Sequence, residues 1–473
     1  MADEFKQRFI LELDMKPEVF EFHILEKRFE IGRKISNACK GVLLKQLKKL
    51  YNDSHYQFLL KSKKSKERTK HLTAIRNSYG VSKTGAEKTV EDMGKHFISN
   101  IKRKNGKNIP HIDSHTVQKV AEDVWQSVSD KLFGKADKVH FKKYGQMNSL
   151  ESKTNKSGIR YINGKCFWNG LEIDVYMDKN DTYAEKALHH DIAFCRIIRK
   201  EIRGKIKFYL QLILKGVPPQ KHDTGKGKVG IDIGISTLAT VSETDVDIVE
   251  FCENVVQLNK EKRKLQRKLD RSMRSTNPSK FNENKTVKKG DKSKWNFSNN
   301  YRKLRFELKD MERKIAAIRR IEHNKEANRV LSKGDKVYSE KMNYKGLQKG
   351  LFGKRIGLKA PSSFLTILNQ KLGYQGKSIR YVNTWTVKAS QYDPFLDEYK
   401  KKKLSERFHI CGNGLKIQRD IFSAWLLKNV DEKLEKVDRN KCLNEFNRFY
   451  KHYVIAEEQL KKANKKLISS IGF

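Results

Sequence analysis

The run "KVGIDIGISTLATVSETD", Lys228 to Asp245, puts a carboxylate in the middle of a strand that reads as buried. Val229, Ile231 and Ile233 alternate with Gly230, Asp232 and Gly234, and a small-residue turn then leads into a second apolar run. An ionised acid in low dielectric destabilises a fold by several kcal/mol unless something positive meets it. A fold built on this strand must therefore bring a positive partner to Asp232.

Composition says where positive charge is plentiful and what it is for. The chain has 473 residues, a length that suggests roughly two to four domains or subdomains. Its 37% apolar content is enough for real cores. Lys and Arg number 101 against 56 Asp and Glu, a formal charge of +45. That excess is more than solubility needs, and it opposes compaction by self-repulsion. A polyanion that neutralises it is the simplest explanation: phosphate backbones first, an anionic membrane surface second. A generally basic proteome would account for only part of the excess. No apolar run approaches the roughly 20 residues of a membrane span. The N-terminus, "MADEFKQRFILELDMKPEVF", is too charged for a secretory signal. Cys39, Cys166, Cys195, Cys252, Cys411 and Cys442 form no C-x-x-C pair, which argues against a disulfide framework and against a zinc ribbon. The expectation is a soluble, cytoplasmic protein that meets nucleic acid and no membrane.

Residues 5–13, "FKQRFILEL", read as a strand. From 21 to 137 the pattern is helical, with Leu25 and Phe29 opening one helix and "VLLKQLKKLY" continuing it. In "DSHTVQKVAEDVWQSVSDKLF", Val117, Val120, Val124, Val128 and Leu132 form a helical stripe that Asp113 or Ser114 would cap. The basic loops "KSKKSKERTK" and "NIKRKNGKN" flank this lobe; each alone is an ordinary solvated surface, but together they favour binding. Between 138 and 220 the signal turns to strands: "KVHFKKYGQ", "GIRYINGKCFWNG" and "IAFCRIIRKEIRGKIKFYLQLILKG", the last with "RGK" as its hairpin turn. These predict a small β-barrel completed by the N-terminal strand, with "GVPPQKHDTGKGK" as the linker out of it. Two long charged helices follow the first-quoted strand pair. Leu265, Leu269 and Met273 ride one; Leu304, Leu308, Met311, Ile315 and Ile318 ride the other, as in an antiparallel pair packed for stability. Further strands are expected at "DKVYSEKM" and "SIRYVNTWTV", a helix at "SSFLTILNQKL" between them, and a helical tail past Val430.

Three acids belong in one argument. Asp232 is mid-strand, Glu340 ends the short strand "KVYSE", and Asp420 opens a helix in "LKIQRDIFSAWLLKN", where Ile421, Ala424 and Trp425 follow at helical spacing. Such acids can converge on Mg²⁺, which takes a few carboxylates and completes its shell with water or phosphate oxygens. Two ions bridged by acids can activate a water and stabilise the leaving oxygen of a phosphodiester. On spacing alone the plainer reading is preferred: three unrelated acids, each paired with a Lys or Arg.

A resemblance changes that preference. "GIDIGISTLAT", "KVYSEKMNYKGL" and "LKIQRDIFSAWL" resemble the three split motifs of a RuvC-like nuclease, and most closely those of the TnpB (OrfB) proteins of insertion sequences, relatives of type V CRISPR effectors. "KVHFKKYGQMNSLESKTNKSGIRY" resembles the basic run that leads into that family's barrel, so the likeness spans most of the chain from Lys138 onward. It implies an α/β fold with α and β subdomains: an RNase H-like (RuvC) nuclease core at 226–473 with a helical insertion at about 253–331, a wedge β-barrel from 1–20 and 138–225, and a helical recognition lobe at 21–137. It also implies that Asp232, Glu340 and Asp420 are the catalytic, Mg²⁺- or Mn²⁺-binding acids, and that Lys142, Lys143, Arg160, Arg407 and Arg419 contact nucleic acid. The implied cofactor and partners are a guide RNA, from a transposon end or a CRISPR array, and double-stranded target DNA.

The chain departs from the family in two places. The usual four-cysteine zinc ribbon between the second and third acids is reduced to Cys411 and His409. Tyr392 and Asp393 stand where a cysteine is expected, and Ile410 and Asn413 at the other apparent cysteine positions, so no zinc is expected. Gln418 stands where many members have an acid and Phe422 where they have Asn, but Arg419 and Asp420 remain. Three rival readings share these features. A guided repressor that no longer cuts would be marked by loss of an acid, and all three acids are present. A guide-independent DNA-binding transposition factor stays open. An actin-like ATPase, suggested by "GIDIGIST", would need a second Gly-rich phosphate loop that the chain lacks.

Overall fold

The computed structural model describes residues 7–102, 106–403, 405–462 and 468–472. Phe5 and Lys6 of the expected first strand, and Arg103 to Asn105 of the basic loop "NIKRKNGKN", lie outside them. The chain divides into two compact units, residues 1–219 and 220–473. Among the described residues no helix is long and apolar enough to cross a membrane.

In the first unit, strand β1 (Arg8–Lys16) buries Phe9, Leu11, Leu13 and Met15 and exposes the residues between, the period of a half-buried strand. Helix α1 (Val19–Tyr51) follows, then α2 (Lys83–Lys95) and α3 (Ser114–Leu132). Asp113 caps α3, accepting from Thr116 N at 3.0 Å, and the Val117–Val128 stripe is its buried face. Six more strands complete an antiparallel sheet: β2 (Ser149–Glu151), β3 (Arg160–Ile162), β4 (Lys165–Trp168), β5 (Leu171–Tyr176), β6 (Ile192–Ile202) and β7 (Lys205–Lys215). Their order is β2-β6-β7-β1-β5-β4-β3, which places the N-terminal strand at the centre.

Two expectations fail here. The predicted barrel is an open, curled sheet: among the described residues no ladder joins β2 to β3. Both edge strands are three residues long, and a side chain makes the connection instead. Asn155 exchanges hydrogen bonds with the Tyr161 backbone on β3 and accepts from Cys195 Sγ on β6. The predicted strand "KVHFKKYGQ" is not a strand. Its backbone groups are taken by side chains of α1: Lys40 Nζ donates to His140 O at 2.9 Å, Arg33 Nη1 to Lys142 O at 3.0 Å, and Asn37 bonds both backbone groups of Lys142. With those groups satisfied, the segment needs no ladder.

The second unit is a five-stranded sheet with helices on both faces. Its strands are β8 (Lys228–Ile233), β9 (Thr237–Val241), β10 (Val246–Glu250), β11 (Lys336–Glu340) and β12 (Arg380–Val382), in the order β10-β9-β8-β11-β12. β8 runs parallel to β11, and β11 to β12; the other pairs are antiparallel. Helices α4 (Glu253–Thr276) and α5 (Asn299–Lys333) come between β10 and β11. They are antiparallel, as contacts of Asn254 with Glu322, Lys262 with Glu312 and Ser272 with Ser298 require. Val229, Ile231 and Val337 pack with α5 and with α6 (Pro361–Gly373) on one face. Ala239, Val241, Ile248 and Tyr338 pack on the other with α7 (Arg419–Lys428) and α8 (Arg439–Lys462). The expected strand "SIRYVNTWTV" stops at Val382; Thr384–Val387 is a helical turn, with Asn383 Oδ1 accepting from Trp385 N at 3.1 Å.

Gly230 sets how closely α7 approaches the sheet. A Cβ there would sit 1.9 Å from Ala424 O and 2.7 Å from Lys428 N, so only glycine lets this helix lie directly on β8. The close approach carries the first turn of α7 to the carboxyl end of β8.

Candidate active site

The parallel register pairs Ile231 with Ser339 and Glu340 with Val382, so Asp232 and Glu340 are neighbours at the carboxyl ends of adjacent strands. Side chains alternate across a strand. Asp232 shares its face with Gly230, against which α7 packs, and Glu340 shares its face with Tyr338, which belongs to the α7 core. Asp420 enters the same space from the first turn of α7. Carboxyl ends of parallel strands under a helix N-terminus are where open α/β sheets bind ligands, and the helix end favours anions.

Each acid is held differently. Asp420 is buried, and its Oδ2 accepts from the buried hydroxyl of Thr237 at 2.8 Å, while Arg419 Nε lies 3.6 Å from Oδ1. Asp232 and Glu340 are half-buried, and among the described residues neither carboxylate has a hydrogen bond or an ion pair. Burial, then the negative charges of Asp420 and Glu340, push the Asp232 carboxyl well above the usual range, with Arg419 opposing. Burial alone raises Glu340. The Tyr344 phenol, just past β11, is raised by burial and then by Asp232, Tyr381 and Glu340, and its ring packs against the core that holds Val229 and Ile231.

The question raised by Asp232 thus stays open in the protein itself, because Arg419, the positive group that opposes its shift, pairs with Asp420 and with backbone carbonyls. Arg419 Nη1 donates to Glu406 O at 3.0 Å, and its backbone N donates to Arg407 O at 2.8 Å. Among the described residues no three His, Cys, Asp or Glu side chains are drawn tightly enough to hold a metal as they stand. The donor chemistry nonetheless fits a hard divalent cation: two carboxylates without partners and a third with one restrained oxygen, all oxygen ligands.

Of the other basic residues named above, Lys142, Lys143 and Arg160 belong to the first unit. Lys142 is half-buried with its backbone tied to α1, Lys143 is exposed, and Arg160 stacks over Phe167 at 5.9 Å. Both departures in the third motif have a local use. Gln418 caps α7, its Oε1 accepting from Ile421 N at 2.9 Å as a carboxylate would. Phe422 stacks on His409 at 4.1 Å and packs against Trp425. The region of the missing ribbon is two hairpins, Tyr392–Asp393 with Glu398–Tyr399 and Phe408–Ile410 with Lys416–Gln418. They are joined by Asp393 Oδ2, which accepts from His409 Nε2 at 3.1 Å and Gly412 N at 2.9 Å. Lys402 Nζ meets His409 Nδ1. Burial and Lys402 lower His409 to about 4, and burial lowers Lys402 to about 8.

Sequence reasoning missed Thr237, Tyr344 and the packing role of Gly230. Thr237 follows the strand turn "GIS" and shares a face with Ala239 and Val241, a signal the alternation of β9 did carry.

No protein-family model matches the chain, and no curated protein matches it. Among solved structures it is similar to a chain in a cryo-EM structure of a Cas12f1–sgRNA–target DNA complex, at 12% identity over 90% of this chain and 99% of that one, with a TM-score of 0.48. It is also similar to a chain in a cryo-EM CRISPR-Cas12f ternary complex, at 14% identity over 88% and 86%, with a TM-score of 0.31. At such identities and scores the likeness fixes no chemistry, which rests on the residues described above.

Proposed function

We propose that the chain is an RNA-guided DNA endonuclease of the TnpB and type V effector kind, cutting a phosphodiester at Asp232, Glu340 and Asp420. The observation that carries this reading is one space shared by three acids from distant parts of the sequence, two of them without a cation of their own. The +45 charge supports a nucleic-acid partner, and the likeness of the three motifs to RuvC-like nucleases supports the reaction.

Mg²⁺ or Mn²⁺, when bound, would polarise the scissile phosphate and make water a better nucleophile. Asp232 and Glu340 would hold it from adjacent strands. Thr237 fixes Oδ2 of Asp420, while Arg419 Nε stands 3.6 Å from Oδ1. Arg419 contributes a positive charge beside Asp420 and offsets part of the repulsion at Asp232. In this reading residues 226–473 are the nuclease, and the helical lobe of 21–137 and the sheet of 1–20 with 138–225 hold RNA and DNA. Lys142, Lys143, Arg160, Arg407 and Arg419 then contact phosphates, and base pairing with the guide reads the sequence.

The test is to purify the chain with its RNA and assay target cleavage for the parent and for Asp232→Ala. Discrete copurifying RNA with Mg²⁺-dependent cutting that Asp232→Ala abolishes is the expected result. Full cutting by RNA-free protein would overturn the guided reading, and bound target that is never cut would favour the repressor.

A further inference from the structure

Trp385 is 85% exposed, and it stands at the same end of the sheet as the acids. β12 ends at Val382, opposite Glu340 in the parallel ladder, and the turn Thr384–Val387 follows directly. That turn is tied down on both sides. Asn383 N donates to Leu434 O at 2.9 Å, Thr386 Oγ1 donates to Glu435 O at 2.6 Å, and Val387 is fully buried. Burying an aromatic side chain such as indole removes roughly 150–250 Å² from water, and the fold leaves that gain unused. The turn thus presents the exposed indole from a fixed backbone.

The neighbours narrow what that surface receives. Tyr399, 49% exposed, donates its hydroxyl to Thr386 O at 3.3 Å, which sets its ring beside the same turn. Lys388 Nζ lies 5.7 Å from the centre of the Tyr399 ring. Lys388, Lys400 and Lys401 are exposed here, beside the exposed acids Asp397 and Glu398 of the hairpin and Glu435. A protein interface would want a contiguous apolar patch. Here the exposed chain neighbours of the indole, Asn383, Thr386, Lys388 and Ser390, are polar, and the exposed apolar Leu396 and Ile410 stand on the hairpins that follow. Aromatic faces interleaved with ammonium groups suit bases and phosphates, since every base offers a π-face whatever its identity.

We infer that Trp385 and Tyr399 form a base-stacking platform for single-stranded nucleic acid, placed to lead the strand toward the three acids. The leading role rests on the proposed nuclease reading; the stacking does not.

The experiment uses the full chain carrying Asp232→Ala, so that cutting cannot interfere, and a short labelled oligothymidine as the probe. Oligothymidine should quench indole fluorescence, and the quench should vanish in Trp385→Phe. Trp385→Ala should weaken single-strand binding roughly tenfold, while Trp385→Phe keeps most of the affinity. Loss of a stacking group should leave the salt dependence of binding unchanged, whereas Lys388→Ala should shallow its slope by about one phosphate. The melting temperature of both Trp385 variants should match the parent, because the indole is exposed. Unchanged affinity in Trp385→Ala, or an equal loss for duplex and single strand, would overturn the platform. Normal cutting by Asp232→Ala alone would instead sink the nuclease site and leave the platform standing.

Discussion

The hydroxyl of Thr237 is the smallest group on which the proposed chemistry depends. It holds Oδ2 of Asp420, so Thr237→Val, which keeps the shape and removes the donor, should loosen that carboxylate without emptying the core. Supporting residues of this kind typically contribute about 10–100-fold in metal affinity or activity. The Mg²⁺ concentration for half-maximal cleavage should rise within that range in Thr237→Val and return in Thr237→Ser; an unchanged Mg²⁺ dependence would remove Thr237 from the site. The acids themselves make a stability prediction. Asp232 and Glu340 have folded-state pKa values raised above their unfolded ones, so their contribution is favourable at acid pH and is lost as pH rises through the raised values. Asp232→Asn should therefore melt higher than the parent at neutral pH in EDTA, and its melting temperature should respond less to Mg²⁺. His409 works in the opposite sense. Its value falls from 6.5 to about 4, so its contribution is present above 6.5 and disappears as pH falls toward 4. His409→Gln should flatten the fall of melting temperature across that window.

At the scale of elements, the seat of α7 on β8 decides whether the acids meet. Gly230→Ala would drive a Cβ into the Ala424 carbonyl, a backbone atom that cannot swing aside. Overpacking of this kind usually destabilises by about 1–3 kcal/mol. Urea denaturation should show a loss of that order, and cleavage should fall further than stability because Asp420 moves with the helix. The elements that carry the acids were legible because their signals are local: period-two alternation around Asp232, and helical spacing from Asp420 through Trp425. Other elements were not legible, because distant residues decide them. The segment at 138–146 reads as a strand until Lys40, Asn37 and Arg33, about a hundred positions earlier, take its backbone groups. Nothing in "KVHFKKYGQ" announces those partners. The helical turn at Thr384–Val387 looks like a continuing strand because Thr, Trp and Val favour strands, yet Asn383 caps it and the Leu434 and Glu435 carbonyls fix it. Closure of the expected barrel hinged on β2 and β3, and strands of three residues leave too little ladder to close a sheet. The face of Thr237 was legible in the alternation of β9, but its partner was not, since Asp420 stands 183 residues away.

At the scale of the whole molecule, the charge excess and the acid cluster must be explained together: +45 attracts a polyanion, and three acids repel one unless a cation stands between. An RNA-guided nuclease meets both conditions, with phosphates held by the basic surfaces and the acids reserved for the scissile bond. Binding and cutting should then be separable. Guide and target affinity come from phosphate contacts and base pairing, so changing one acid should leave them within a few-fold of the parent. Groups that act as one unit are strongly non-additive, so each single change should damage cutting nearly as much as all three together. The most direct measurement is target-strand cleavage beside target binding, on the same RNA-loaded preparations of the parent, Asp232→Ala, Glu340→Ala and Asp420→Ala. The prediction is near-parental binding in all four and cleavage in the parent alone; parental cleavage by any of the three variants would contradict it.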